Sequence, residues 1–106
     1  MSDNILKGEN IEAGSLGDLE LIQGERVGLR IWHDYVTERK AERTRPYEIA
    51  GYVMKGEITL VIDGRPTELV EGDSFVIPAD TSHAFSIPMP ATVIEATAPP
   101  ASRELS

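Results

Sequence analysis

Short apolar runs, one of them alternating with a period of two, recur between turn signals along this chain. Val27-Gly-Leu-Arg-Ile-Trp32 follows that spacing, which belongs to a half-buried strand. Tyr52 to Met54 forms a second apolar run, and Lys55-Gly56-Glu57 after it reads as a turn. Ile58 to Ile62 then meets Asp63-Gly64. Asp-Gly between β-rich runs marks a hairpin, because a type I′ turn needs positive φ at both central residues. Thr67 to Val70 is the return strand, and Glu71-Gly72-Asp73 is the next turn. Ser74 to Ile77 stops at Pro78, which cannot donate to a ladder. His83 to Ile87 and Thr92 to Thr97 are read as two further strands. The best helical candidate, Val36 to Arg45, has only Val36 and Ala41 as apolar residues. It has no face to bury, so it reads as a solvated loop. Turns recur at roughly the 8–12-residue spacing of an all-β sandwich or barrel.

Length and composition narrow this picture. The chain has 106 residues, enough for one domain, and 41% hydrophobic content supports a packed core. Acidic residues outnumber basic ones 18 to 10, giving a net charge of −8. That field repels phosphate backbones and anionic lipid surfaces, so neither nucleic acid nor membrane is an expected partner. Cysteine is absent, which excludes disulfides, thiolate metal sites and thiol catalysis. Met1 to Asn10 lacks the basic start and apolar stretch of a secretory signal, so the expected location is the cytoplasm.

Two motifs carry a resemblance. Gly51-Tyr-Val-Met-Lys-Gly56-Glu57-Ile58 is an apolar strand, a Gly-Glu turn and the start of another strand. Gly72-Asp-Ser-Phe-Val-Ile-Pro78-Ala-Asp80-Thr-Ser-His83 follows it in order. In sequence and separation these resemble the two motifs of the cupin superfamily. Asp80 is the departure, since the second motif has a Gly there. Asp tolerates left-handed turn conformations better than most residues. The resemblance implies a double-stranded β-helix, or jelly roll. It covers roughly residues 27–98 as the barrel, with residues 1–26 as an arm and residues 99–106 as a tail. Leu19 to Ile22 is a candidate edge strand within the arm.

The resemblance also implies where a metal would be held. Metal-binding cupins carry His-x-His and a following Glu before the turn Gly, and a further His in the second motif. Counting back from Gly56 places the Glu position on Ile49 and the two His positions on Arg43 and Arg45. Only His83 keeps its ligand type. Arg is always protonated and offers no lone pair, and Ile49 has no donor at all. Three protein ligands are usual at a catalytic metal, so no metal or other cofactor is expected at this position. A rebuilt site could draw on His33, Glu42, Glu48, His83 and Glu95. Glu48 adjoins the expected position, but strand residues alternate faces, so it should point away.

If the implied geometry holds, Arg43, Arg45 and His83 converge on the barrel mouth. A guanidinium fork suits a carboxylate or phosphate. The first expectation is therefore a metal-free cupin that binds a small, anionic molecule in the barrel, as a sensor or auxiliary protein. Arg45 precedes Pro46, which stiffens it toward an extended form. The alternative for the arginines is a solvated loop paired with Glu38, Glu42 or Glu48. A second functional expectation is a metal-independent isomerase, epimerase or lyase with His83 as acid/base. A third is a metal-dependent oxygenase with atypical ligands. The aromatics Trp32, Tyr35, Tyr47, Tyr52, Phe75 and Phe85 could line a cavity, with Tyr47, Tyr52, Phe75 and Phe85 as the ligand-binding candidates, although core packing is the commoner role. Val53 and Met54 face opposite ways, as do Val61 and Ile62, so both strand faces are apolar. That predicts sheet-on-sheet packing within the jelly roll or across a homodimer.

Overall fold

Strand parity decides which residues meet inside this protein. The computed structural model describes residues 4–14, 17–38 and 41–101. Residues 39–40 of the expected loop and 102–106 of the expected tail lie outside them. A short 3-10 turn, Gly8–Asn10, precedes the strands. The strands are β1 (Glu12–Ala13), β2 (Leu19–Gln23), β3 (Gly28–Thr37), β4 (Glu48–Lys55), β5 (Glu57–Ile62), β6 (Arg65–Val70), β7 (Ser74–Ile77) and β8 (His83–Ala98). All pair antiparallel. One sheet runs β1-β2-β3-β8-β4-β7, while β6 and β5 pair with each other and β5 joins the start of β8.

The all-β architecture read from the turns is the one observed, with the jelly-roll arrangement that the cupin resemblance implied. Asp63 and Gly64 both have positive φ, at 48° and 78°, as a type I′ hairpin requires. No helix forms over the described part of Val36 to Arg45, which ends β3 and then runs as irregular chain. The two strands expected over His83–Ile87 and Thr92–Thr97 are one strand of 16 residues. Pro88 and Pro90 do not end it. Neither belongs to a cross-strand pair, since β8 pairs β5 through Ser86 and β3 at Ile87, then rejoins β3 and β4 at Ala91 and Thr92. Proline is tolerated where the ladder does not need its missing N–H.

The interior follows from the alternation. On β4, Ile49, Gly51 and Val53 point inward while Glu48, Ala50 and Tyr52 point out. On β8, Val93, Glu95 and Thr97 are buried. One buried cluster holds Tyr47, Ile49, Leu60, Ile77 and Ala101, and a second holds Val53, Ile58, Ile87, Ala91 and Val93. Leu69, Phe75 and Phe85 pack against both and join them. Gly51 explains the position of Phe75. The two are direct cross-strand partners, and a Cβ on Gly51 would overlap the tip of the Phe75 ring at Cζ. The chain beyond Pro99 stays against the barrel at first. Pro100 and Ala101 are buried, and the Ala101 N–H donates to Thr97 Oγ1 at 2.8 Å.

Candidate functional site

The site begins with a backbone contact. Arg43 and His83 form an isolated antiparallel bridge in which each N–H donates to the other's carbonyl at 2.9 Å. Two positions on, the Asp80 N–H donates to the Arg45 carbonyl at 2.7 Å. Asp80 has φ of 60°, so the turn that usually takes Gly is made here by Asp in the left-handed region. Glu42 fastens the same segment from the other side. Its Oε1 accepts from Ser82 Oγ at 2.8 Å and from the Gly64 N–H at 3.3 Å. That carboxylate is therefore engaged with the hairpin turn and the second motif.

This docking brings the residues at all four ligand positions that the cupin resemblance implies to one cavity. Arg43, Arg45, Ile49 and His83 line it, together with Phe85. Arg30, Trp32, Tyr35 and Glu95 complete much of the wall. The space open to the centres of water molecules is about 60 Å³. At about 10–15 Å³ per water, that is room for a cluster of roughly four to six.

His83 is 5% exposed. Its Nδ1 lies 2.9 Å from the Thr81 carbonyl oxygen, which can only accept, so Nδ1 carries the proton in the neutral ring. Nε2 has no hydrogen-bond partner among the described residues and keeps its lone pair. The ring stands edge-on to Phe85, with centroids 6.0 Å apart.

The buried floor is an ion pair. Arg30 on β3 and Glu95 on β8 are direct cross-strand partners, and Arg30 Nε donates to Glu95 Oε1 at 2.7 Å. Trp32 Nε1 donates to the same oxygen at 2.8 Å. The guanidinium carbon also lies 5.1 Å from the Trp32 ring centre and 5.6 Å from that of Tyr47. Arg30 Nη1 reaches the Tyr47 hydroxyl at 3.5 Å, the outer limit for a hydrogen bond. Burial pulls the Arg30 pKa down, but Glu95 and Tyr47 outweigh it and hold it above the ordinary value.

The sequence candidates separate cleanly. Arg43, Arg45, His83 and Phe85 share the cavity. Tyr47 is buried beneath Arg30, in the first core cluster rather than on the cavity wall. Phe75 packs on Gly51 and edge-on against Phe85, with centroids 5.8 Å apart. Tyr52 sits three residues after Ile49 on a strand, so it has the opposite parity and lies on the outer face. Arg30 is a cavity residue that the sequence reading did not select; Trp32 entered it only among the aromatics, and Glu95 only as a ligand of a rebuilt metal site. The signal was available: Arg30 and Trp32 share one face of a strand, and Glu95 shares the inward face of Val93.

A divalent metal does not fit this set of donors. Arg43, Arg45 and Ile49 supply no lone pair. Glu95 already accepts from Arg30 and Trp32 through Oε1. Of the other candidates for a rebuilt site, Glu48 is exposed on the outer face of β4, and the side chain of His33 is 62% exposed beside Asp34. Among the described residues, no group of three or more His, Asp or Glu side chains is placed to hold a metal ion.

Comparison with known proteins agrees with the fold. Residues 19–96 match the cupin domain. No curated protein matches the chain. Among solved structures, an RmlC-like cupin from Shewanella frigidimarina superposes with a TM-score of 0.77 at 22% identity, over 92% of each chain. KdgF from a Halomonas species gives 0.70 at 19% identity, over 89% of this chain and 90% of that one. A Bacillus halodurans protein gives 0.71 at 17% identity, over 91% and 81%. At these identities the likeness is one of fold. With the domain match spanning most of its length, the chain belongs to the cupin family. Among the described residues, no helix is long and apolar enough to cross a membrane.

Proposed function

We propose that this cupin binds a small carboxylate-bearing molecule in its barrel, with Arg43 and Arg45 as the cationic contacts and His83 beside them. The supporting observation is the chemistry of the cavity set against that of the chain. Two guanidinium groups line a small, partly enclosed space, and the third, Arg30, is neutralised by Glu95. The protein as a whole carries −8. Arg43 has no ion pair among the described residues, and Glu42, its neighbour, is held by Ser82 and Gly64 instead. A cationic pocket in an acidic chain selects a compact anion and draws it in over a short range. Guanidinium forks match a carboxylate in shape as well as charge. A sensor or auxiliary role follows from binding without turnover.

The test is thermal unfolding in the presence of small carboxylates such as propionate, lactate and succinate. A ligand that binds only the folded state adds about 2.7 kcal/mol at a hundredfold excess over Kd. The stabilisation should rise with concentration in the wild type and shrink in Arg43→Ala and Arg45→Ala. Equal stabilisation in wild type and variants contradicts the reading.

A second reading is favoured by one observation. The hydrogen bond to the Thr81 carbonyl fixes the His83 tautomer and leaves Nε2 as a base. An isomerase, epimerase or lyase would use that nitrogen to move a proton on the bound acid. Turnover that is lost in His83→Asn, with ligand stabilisation retained, would separate this enzyme from a binder.

A further inference from the structure

The cavity holds a second kind of chemistry beside its cations. Glu95 and Arg30 form a pair with no net charge, and both line the cavity. Their contacts use only part of their hydrogen-bonding capacity. Glu95 Oε1 accepts from Arg30 Nε and Trp32 Nε1, while Oε2 has no partner among the described residues. Arg30 donates through Nε and Nη1, while Nη2 has no partner among the described residues. Glu95 is 2% exposed and Arg30 6% exposed. Among the described residues only Asp18 Oδ1 is fully buried without a partner, so Oε2 and Nη2 keep access to the cavity that both residues line, where a bound molecule can meet them. A plain carboxylate can satisfy the guanidinium but not Oε2, which requires a donor. A hydroxyl can serve both, donating to Oε2 and accepting from Nη2.

We infer that the ligand is a small hydroxy acid, with its carboxylate against Arg43 and Arg45 and its hydroxyl against the Arg30–Glu95 pair. This rests on the anion-binding reading above and names its ligand class. Size agrees: a cavity of about 60 Å³ suits a short carbon skeleton rather than an oligosaccharide. Ile49, Phe85, Ile87 and Val93 supply the apolar wall along which that skeleton lies. Trp32, the single tryptophan of the chain, binds Glu95 and lines the same space, so it reports occupancy of the hydroxyl end.

The experiment compares matched acids on the full-length protein. Lactate against propionate, and malate against succinate, are titrated by calorimetry and by Trp32 emission. In each pair the two acids carry the same carboxylates and differ by one hydroxyl. The hydroxy acid is expected to bind at least about tenfold more tightly, as a hydrogen bond to a charged group allows. In Arg30→Met/Glu95→Leu, which removes both charges together, that ratio should fall to near one. Equal affinity within each wild-type pair overturns the hydroxyl contact while leaving the anion reading in place. So does a preference that survives in the double variant. If no acid of either kind binds, both readings fall.

Discussion

Arg30 and Glu95 stand directly opposite each other on adjacent strands and close a 2.7 Å ion pair within the barrel. Their register places two opposite charges on the inward face of a sheet that is otherwise apolar at Val93 and Ala91. Trp32 donates to the same carboxylate oxygen, so Glu95 is held from two sides. The pair therefore sets both the floor of the cavity and the junction between β3 and β8.

Removing one partner of that pair leaves the other buried and uncompensated. Glu95→Ala is expected to destabilise the protein by about 3–5 kcal/mol in urea unfolding. Arg30→Met/Glu95→Leu should be far milder, because a hydrophobic replacement of both partners is often neutral or stabilising by about 1–4 kcal/mol. A double variant as unstable as the single one would show that the pair does not act as a unit.

Gly51 has no room for a methyl group, since the Phe75 ring occupies that place. Gly51→Ala should cost about 1–3 kcal/mol, as overpacking does. Adding Phe75→Leu should recover part of the loss in the same unfolding measurement. Additive losses would contradict the contact.

Asp80 takes φ of 60° and directs its N–H to the Arg45 carbonyl. Asp80→Gly should be tolerated, because Gly has no Cβ to strain in this region. Asp80→Val should lower stability by about 1–2 kcal/mol, the cost of the left-handed conformation for an ordinary side chain. Thermal unfolding of both variants checks the difference.

Tyr52, Met54 and Val76 lie on the outer faces of β4 and β7 with exposures of 47, 45 and 53%. Tyr52 also pairs with Ile94 across to β8. We propose that a second copy of the chain covers this face. Sedimentation should then give a dimer at micromolar concentration, and Tyr52→Glu/Val76→Glu should give a monomer. A wild-type monomer would contradict it.

Most of the strands were legible because period-two alternation and Asp-Gly or Gly-Asp turns are local signals. The continuity of β8 through Pro88 and Pro90 was not, because it depends on which residues the ladder leaves unpaired. Tyr52 was misplaced as a cavity candidate although its parity opposes that of Ile49, and parity was readable. Arg30 and Glu95 are 65 residues apart, and their pairing depends on cross-strand register, which no local pattern encodes. Motif spacing grouped Arg43, Arg45 and His83, and the backbone bridge between Arg43 and His83 is the structural reason that they line one cavity.

If Arg43 and Arg45 take an anion where the family's ligand positions would take a metal, the wild-type cavity holds no divalent ion. Elemental analysis decides this on untagged wild-type protein beside Arg43→His/Arg45→His/Ile49→Glu. Both are incubated with manganese, iron, nickel and zinc and then freed of unbound ions. The variant restores three donors around His83 and is expected to retain one metal per chain, while the wild type retains none above background. A stoichiometric metal in the wild type would contradict the account.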